Sequence, residues 1–105
     1  MKLRKSSALL NSIKRTEFAT FEQLLNVGPA IAADFRCVGL HHPRDLIGLD
    51  PYALYDLLCR TTGTRHDPCV IDVFISAVRF MDGGEAKPWW VFTAERKKQL
   101  RAQKV

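Results

Sequence analysis

The sequence lacks an apolar run long enough to cross a membrane. Its longest strongly apolar stretch, Val70–Met81, is interrupted by Asp72 and Arg79 and falls short of the roughly 20 apolar residues that a transmembrane helix needs. The pair Leu9 and Leu10 is too short for the hydrophobic region of a secretory signal. We therefore expect neither membrane attachment nor secretion.

Cysteine is also scarce, with three residues in a chain of 105. An odd number of cysteines without a secretory signal favours reduced thiols, so we expect a cytoplasmic protein. Cys59, His66 and Cys69 follow the spacing C-x6-H-x2-C, which fits no common structural zinc pattern, and a paired C-x2-C is absent. We expect no metal site and no cofactor.

Sequence motifs of common enzyme classes are missing as well. The chain has no G-x-S-x-G, no phosphate loop and no dinucleotide-binding fingerprint. Its length corresponds to one small domain, which is too small for a deep catalytic cleft with a separate lid. The carboxylates Asp50, Asp56, Asp67 and Asp72 are spread over separate caps and faces. We expect no enzymatic activity.

The net charge of +5 is distributed unevenly along the chain. Residues 1–15 carry five Lys or Arg and no acid, and residues 96–105 carry five more, whereas residues 16–95 hold all eleven acids and only six Lys or Arg. This pattern predicts a basic N-terminal arm (1–15), an acidic folded body (16–95) and a basic C-terminal tail (96–105). Basic arms can bind phosphate non-specifically, or can simply keep a protein soluble.

Helix signals dominate the body. Thr20 and Gln23 have the spacing of a capping box, and the Asp-Pro pairs at 50–51 and 67–68 are typical of an N-cap followed by the first helical residue. With the apolar spacing, these signals predict helices near 20–25, from Pro29 to Val38, at Pro43–Leu46, from Pro51 to Thr62, at Cys69–Met81 and at Thr93–Gln103.

The predicted helix at Cys69–Met81 is apolar on most of its surface. Only Asp72, Ser76 and Arg79 form a polar stripe, so we expect this helix at the centre of the fold. We expect at least one ring of Trp89 and Trp90 to pack over it, the alternative being stacking on an unpaired base or on a partner.

The segment from Leu24 to Phe35, with Gly28-Pro29 at its centre, resembles a helix-hairpin-helix motif. In that motif a glycine-containing turn presents backbone N–H groups at a helix N-terminus to a DNA phosphate. Asn26 stands where the motif usually has its first glycine. Ala30 stands where Lys or Arg commonly follows Gly-Pro, which removes one charge-assisted contact.

The order of further motifs makes the chain similar to a known family. Arg65-His66-Asp67-Pro68-Cys69, Asp72-Val73-Phe74 and Pro88-Trp89-Trp90 follow the hairpin as they do in the bacterial pathogenicity-locus family, small helix-hairpin-helix proteins also described as mitomycin-resistance-like. The resemblance covers about Leu24 to Arg96. It implies an all-α fold, a compact tandem helix-hairpin-helix (SAM-like) bundle of about five helices with flanking basic arms, and an association with nucleic acid.

A second candidate site lies at the start of the helix that follows Asp67. Cys69 would sit in the first helical turn, where the helix dipole together with Arg65 and His66 would lower the thiol pKa or bind an anion. The structural alternative is that Asp67 caps the helix, Cys69 packs as a small hydrophobe and Arg65 pairs with a carboxylate.

Together these patterns predict a non-enzymatic protein that binds the DNA phosphate backbone non-specifically and in a salt-sensitive way. One alternative is a protein–protein adaptor on the same scaffold, and another is a thiol-dependent or anion-binding activity at Cys69. The predicted phosphate-binding residues are Gly28, Ala30 and Ile31 in the hairpin, Lys2, Arg4, Lys5, Lys14 and Arg15 in the N-terminal arm, and Arg96, Lys97, Lys98 and Arg101 in the C-terminal tail.

Overall fold

The computed structural model describes residues 7–103, in which α-helices and 3-10 turns are joined by short loops without any strand. The helices are α1 (Ser7–Asn11), α2 (Pro29–Cys37), α3 (Pro51–Thr62), α4 (Cys69–Met81) and α5 (Thr93–Gln103). Single 3-10 turns lie at Arg15–Glu17, Phe21–Gln23, Pro43–Leu46 and Trp89–Phe92. The predicted all-α fold of about five helices is confirmed. Within the described range, every helix is too short or too polar to span a bilayer.

The helix ends lie where the local sequence signals put them. Asp50 Oδ1 accepts the Tyr52 N–H at 2.9 Å, and Asp67 Oδ1 accepts the Cys69 N–H at 2.8 Å, so both aspartates cap the helices that follow them. Gly63 ends α3 in the left-handed region at φ 66°, which glycine adopts at little cost.

The helix predicted near residues 20–25 is only a 3-10 turn, Phe21–Gln23. Gln23 Oε1 accepts the backbone N–H of Thr20 at 2.9 Å, as the capping-box spacing predicts. At Leu24 the backbone becomes extended, with φ −76° and ψ 148°. Phe21, Leu24 and Val27 are all fully buried, so the departure from helical geometry places three apolar side chains in the core.

Helix α4 is the centre of the hydrophobic core, as predicted. It packs against α3, α5 and the 3-10 turns at 43–46 and 89–92. An aromatic series connects it to the N-terminal half of the chain: the Phe74 and Phe35 rings lie 5.1 Å apart and the Phe35 and Phe21 rings 4.9 Å apart. Aromatic pairs at these separations contribute beyond the area that they bury.

The polar stripe on α4 faces other parts of the chain. Asp72 and Ser76 are buried, whereas Arg79 is exposed and pairs with Glu95 of α5. Ser76 Oγ donates to the carbonyl oxygen of Lys87 at 2.8 Å. Each polar residue of α4 therefore has its partner in the segment after residue 85, and this explains how that segment is held against an otherwise apolar helix.

The ion pair between Asp72 and Arg96 is the most buried of these contacts. Arg96 Nε and Nη2 donate to the two carboxylate oxygens of Asp72 at 2.9 and 3.3 Å, and Thr93 Oγ1 donates to Asp72 Oδ2 at 2.8 Å. The Asp72 side chain is 0% exposed and that of Arg96 is 9% exposed. The hydrogen bonds to Asp72 raise the pKa of Arg96 further above its usual range.

Contacts cross both of the boundaries predicted for the folded body. Leu10 of α1 is buried in the core, and the Arg15 guanidinium donates to the carbonyl oxygens of Phe80 at 2.8 Å and Gly84 at 2.6 Å. At the other end, the predicted boundary between residues 95 and 96 falls inside α5. Residues on the outer side of both boundaries, Arg15 and Arg96 among them, are therefore part of the packed structure.

Substitution of Arg96 by alanine is expected to destabilise the fold strongly, because it leaves the Asp72 carboxylate buried without its cation. Removing one partner of a buried ion pair typically costs about 3–5 kcal/mol. Urea unfolding followed by circular dichroism measures the loss. Lys97→Ala, at the exposed neighbouring position, is the matched control and should change stability by about 0.5 kcal/mol or less. Equal losses in the two variants would contradict a structural role for Arg96.

Candidate nucleic-acid interface

The turn before α2 brings the predicted hairpin residues to the surface. The first intrahelical hydrogen bond of α2 runs from the Ala32 N–H to the Gly28 carbonyl oxygen at 3.0 Å. The N–H groups of Ala30 and Ile31 precede that bond and so have no acceptor within the helix. Gly28 and Ala30 are exposed, while Ile31 is half-buried. A helix N-terminus of this kind favours an anion through its N–H groups and its dipole.

Gly28 has free space around it. Its φ of −99° lies in a region that every residue adopts, and a Cβ atom built on it would meet no heavy atom within 4 Å. The backbone of the turn is thus accessible from outside, and a side chain at position 28 would occupy the space in front of the N-terminus of α2.

Asn26 stands where a helix-hairpin-helix motif usually has its first glycine, and its backbone and side chain show why asparagine fits this position. Its backbone is left-handed, with φ 70°, a conformation that asparagine tolerates better than most residues other than glycine. Its side-chain amide donates to Ser76 Oγ and to the Lys87 carbonyl oxygen, both at 3.0 Å. Asparagine therefore replaces glycine here and also connects the turn to α4 and to the loop before the 89–92 turn.

The segment that contains Lys87 and Trp90 is bonded to this turn through the Lys87 backbone. Three residues span at most about 11 Å, so the Cα atom of Trp90 lies within that distance of the Cα atom of Lys87, whose carbonyl the Asn26 amide holds. Trp90 is 62% exposed and Trp89 is half-buried, and their rings meet edge to face with centroids 5.8 Å apart. We call the surface formed by Gly28, Ala30, Lys87 and Trp90 the turn–Trp90 surface.

Sequence reasoning missed Lys87 as a functional candidate. The two tryptophans stand out in the sequence, but nothing local shows that the backbone of Lys87 is bonded to the turn at Asn26. The only signal was Asn26 itself, since an asparagine in place of a turn glycine is expected to have a side-chain partner.

The predicted phosphate-binding cations fall into three groups. Lys14, Lys97, Lys98 and Arg101 are exposed. Arg15 and Arg96 were predicted to bind phosphate, but their guanidinium groups are occupied by Phe80 and Gly84 carbonyls and by Asp72, respectively. For these two residues the prediction is corrected, because the groups that would meet a phosphate already hold the fold together. Lys2, Arg4 and Lys5 lie outside the described residues.

The structure does not assemble the predicted cluster of Arg65, His66 and Cys69. The His66 ring Nε2 lies 2.9 Å from Thr62 Oγ1, and Arg65 faces a cavity beside α3. Cys69 is exposed next to the cap residue Asp67, and its Sγ lies 3.8 Å from Arg96 Nη2.

The expected lowering of the Cys69 pKa was wrong. The hydrogen bond from the thiol to the Asp67 carboxylate raises the pKa of Cys69, as does partial burial, and this outweighs the nearby Arg96 cation. The same contacts lower the pKa of Asp67, chiefly through the bond from the Cys69 N–H. Within residues 7–103, His, Cys, Asp and Glu side chains form no group of three that could hold a metal ion.

Comparisons with known proteins show which family the chain resembles. The family model described as Cdd1, pathogenicity locus, matches residues 14–98. The mitomycin resistance protein McrB of Streptomyces lavendulae is 39% identical over 80 residues, which is 76% of this chain and 76% of that protein. No solved structure is significantly similar to the chain.

Replacing Asp67 with asparagine is expected to accelerate labelling of Cys69. The substitution removes the carboxylate that raises the thiol pKa but keeps an oxygen that can accept the Cys69 N–H, so more thiolate is present at a given pH. The rate with Ellman's reagent between pH 7 and 10 measures this effect, in a Cys37→Ser, Cys59→Ser background. An unchanged or slower rate in the variant would contradict the assignment of Asp67 as the cause.

Proposed function

This chain belongs to the pathogenicity locus family, and we propose that it is a non-enzymatic protein that binds the phosphate backbone of DNA. The observation that carries the proposal is the hydrogen bond from Asn26 to Lys87, which joins a turn with an accessible helix N-terminus to a segment that carries an exposed cation and an exposed aromatic ring. The first makes room for a phosphate, the second attracts it, and the third offers a face on which a base can stack.

Lys87 would supply the charge that position 30 lacks. Residues that follow Gly-Pro in helix-hairpin-helix turns commonly include a cation, and this chain has Ala30 instead. Lys87 is exposed on the adjoining loop, whose backbone is bound by Asn26. A charge-assisted contact from a neighbouring segment contributes about 1.5–3 kcal/mol where it forms, similar to one made from the turn itself.

The remaining electrostatic affinity would come from exposed cations near the two ends. In the described part these are Lys14, Lys97, Lys98 and Arg101. Lys2, Arg4 and Lys5 add to the same charge in sequence. Because residues 16–95 are acidic overall, binding should be weak at physiological salt and should decrease steeply as salt rises.

The biological setting that we attach to this activity is resistance to mitomycin, because the relative from Streptomyces lavendulae is named for it. Contacts through phosphate do not read base sequence, so recognition by this protein would depend on DNA shape or on unpaired bases.

A second candidate function is that of a protein–protein adaptor. An apolar groove of about 230 Å³ between the C-terminal end of α2 and the start of α3 is lined by Val38, Leu40, Leu49, Leu54 and Leu57, among others. The nearby Ile47 is 53% exposed and Leu57 is 39% exposed. Exposed apolar surface of this kind is typical of protein interfaces.

Two substitutions test whether the turn binds DNA, one expected to weaken duplex binding and one expected to strengthen it. Gly28→Asp should retain stability, because aspartate is a preferred N-cap residue and the position is open, yet it should weaken duplex binding by about tenfold or more through repulsion of the phosphate. Ala30→Lys should strengthen binding. Fluorescence anisotropy with a labelled duplex at low salt measures both, with thermal unfolding as the check on stability.

The matched control for the gain is Ala53→Lys, which adds the same charge in the first turn of α3. If Ala53→Lys strengthens binding as much as Ala30→Lys does, the turn is not the place where DNA binds. If the full-length protein fails to bind duplex DNA even at low salt, DNA binding is excluded and the adaptor function is favoured.

Neutralising the exposed cations of α5 should reduce the salt dependence of binding. With Lys97, Lys98 and Arg101 all changed to glutamine, the slope of log affinity against log salt should become shallower by about 2.7, if each contacts one phosphate. Arg44→Gln, an exposed arginine in the 43–46 turn, is the control and should leave the slope unchanged. An unchanged slope in the triple variant would show that α5 does not contact DNA.

A further inference from the structure

A cavity of about 530 Å³ lies beside α3, away from the turn–Trp90 surface. Its walls come from α3, from the loop at 63–68, from the start of α4 and from the C-terminal half of α5. Tyr52, Tyr55, Ile71 and Leu100 contribute aromatic and aliphatic surface to it. Its volume lies in the range of about 300–1,000 Å³ that is typical of sites for small molecules.

Two arginines at this cavity lack a carboxylate partner. Arg60 and Arg65 both line it and are exposed, and neither takes part in an ion pair within the described part of the chain. This contrasts with Arg36, Arg79 and Arg96, each of which is paired with an acid. Arg60 donates to the backbone oxygen of Asp56, so neither guanidinium group has a carboxylate to neutralise it. Two such cations beside aromatic and aliphatic walls suit an anionic group that is attached to an apolar body.

The aromatic walls are held in place. The Tyr55 hydroxyl donates to the His66 carbonyl oxygen, and the His66 ring is bonded in turn to Thr62, so the loop carrying Arg65 is fixed against α3. Tyr52, at the same cavity, has a buried hydroxyl without a hydrogen-bond partner among the described residues. Because that oxygen is shut off from the cavity, the ring of Tyr52 and not its hydroxyl is the part of the side chain that a ligand would meet.

Polar side chains complete the lining. Asp56 can accept hydrogen bonds from hydroxyl or amino groups, and Gln103 can both donate and accept them. An aromatic body, an anionic group and a polar edge, in about the volume of this cavity, are the features of a nucleotide.

We propose that the cavity between α3, the 63–68 loop and α5 binds a nucleoside monophosphate group, with its phosphate on Arg60 and Arg65 and its base against Tyr52 and Tyr55. The group is either a free mononucleotide or the 5′-phosphorylated end of a strand, and the two share this chemistry. The site is independent of the turn–Trp90 surface, so failure of the DNA-backbone proposal leaves this one standing. In this site Arg65 binds the phosphate, and Cys69 takes no part.

Titration of the ¹⁵N-labelled full-length protein with AMP and with dTMP, followed by NMR, tests the site. We expect amide shifts at Gly63, Thr64 and Arg65, and expect Arg60→Gln or Arg65→Gln to weaken binding by about tenfold or more, as for loss of one charge-assisted hydrogen bond. Arg44→Gln is the matched control and should bind normally. Both cavity variants should fold, since both arginines are exposed and neither takes part in an ion pair in the described part of the chain.

Three outcomes would overturn the proposal. The first is the absence of amide shifts with either nucleotide, and the second is a set of shifts confined to residues 26–30. The third is binding of inorganic phosphate as tight as that of the nucleotides, which would leave no role for the tyrosines.

A 5′-phosphorylated oligonucleotide compared with its 5′-hydroxyl form distinguishes a strand end from a free nucleotide. Shifts at Gly63 and Thr64 that require the 5′-phosphate identify a strand end, whereas shifts with mononucleotides alone identify a free nucleotide.

A chemical readout checks the location. Cys59 lines the cavity and is half-buried, so a bound nucleotide should slow its alkylation by iodoacetamide in a Cys37→Ser, Cys69→Ser background. Unchanged alkylation at a nucleotide concentration that saturates the NMR shifts would place the ligand elsewhere and would contradict the proposal.

Discussion

The buried carboxylate of Asp72 is the constraint on which the C-terminal third of the structure depends. A charge buried in the first turn of the most apolar helix is tolerated only with a cation and further donors around it, and Arg96 and Thr93 supply them. Both donors belong to the first turn of α5, so satisfying Asp72 fixes where α5 begins and which side of it faces α4. Ser76, one turn further along α4, then binds the loop that leads to α5.

The same polar stripe that anchors α5 also shapes the candidate interface. Ser76 accepts the Asn26 amide, and the Lys87 carbonyl accepts from both residues, so one small group of hydrogen bonds joins the core helix, the turn before α2 and the tryptophan-containing segment. Backbone conformation contributes to this arrangement, because only a residue that tolerates a positive φ can stand at position 26. The attachment of the Lys87 backbone to the turn is therefore a consequence of core packing.

Local patterns predicted the elements of this fold better than their contacts. The caps at Asp50 and Asp67, the end of α3 at Gly63 and the central position of α4 all follow from residues within a few positions of each other. The contacts made by the cations do not follow from neighbouring residues. Arg15 and Arg96 look in sequence like any other residue of a basic arm, and their partners are separated from them by 65 and 24 positions. Cys69 shows the same limit at short range, since the sequence marks Asp67 as the cap of the helix but does not show that its carboxylate also contacts the Cys69 thiol and raises its pKa.

The backbone conformation at Gly28 does not need a glycine, in contrast to the conformations at Gly39 and Gly63. Gly39 and Gly63 have positive φ values and serve the backbone, whereas Gly28 has an ordinary conformation, open surroundings and an N-cap position at which serine, asparagine or aspartate would stabilise α2 better. Glycine at position 28 therefore leaves α2 less stable than a better N-cap residue would, and the fold gains nothing from it. Retention of glycine at this position across the family would record selection by a molecule outside the chain, while variation among small polar residues would mean that only the fold has been selected.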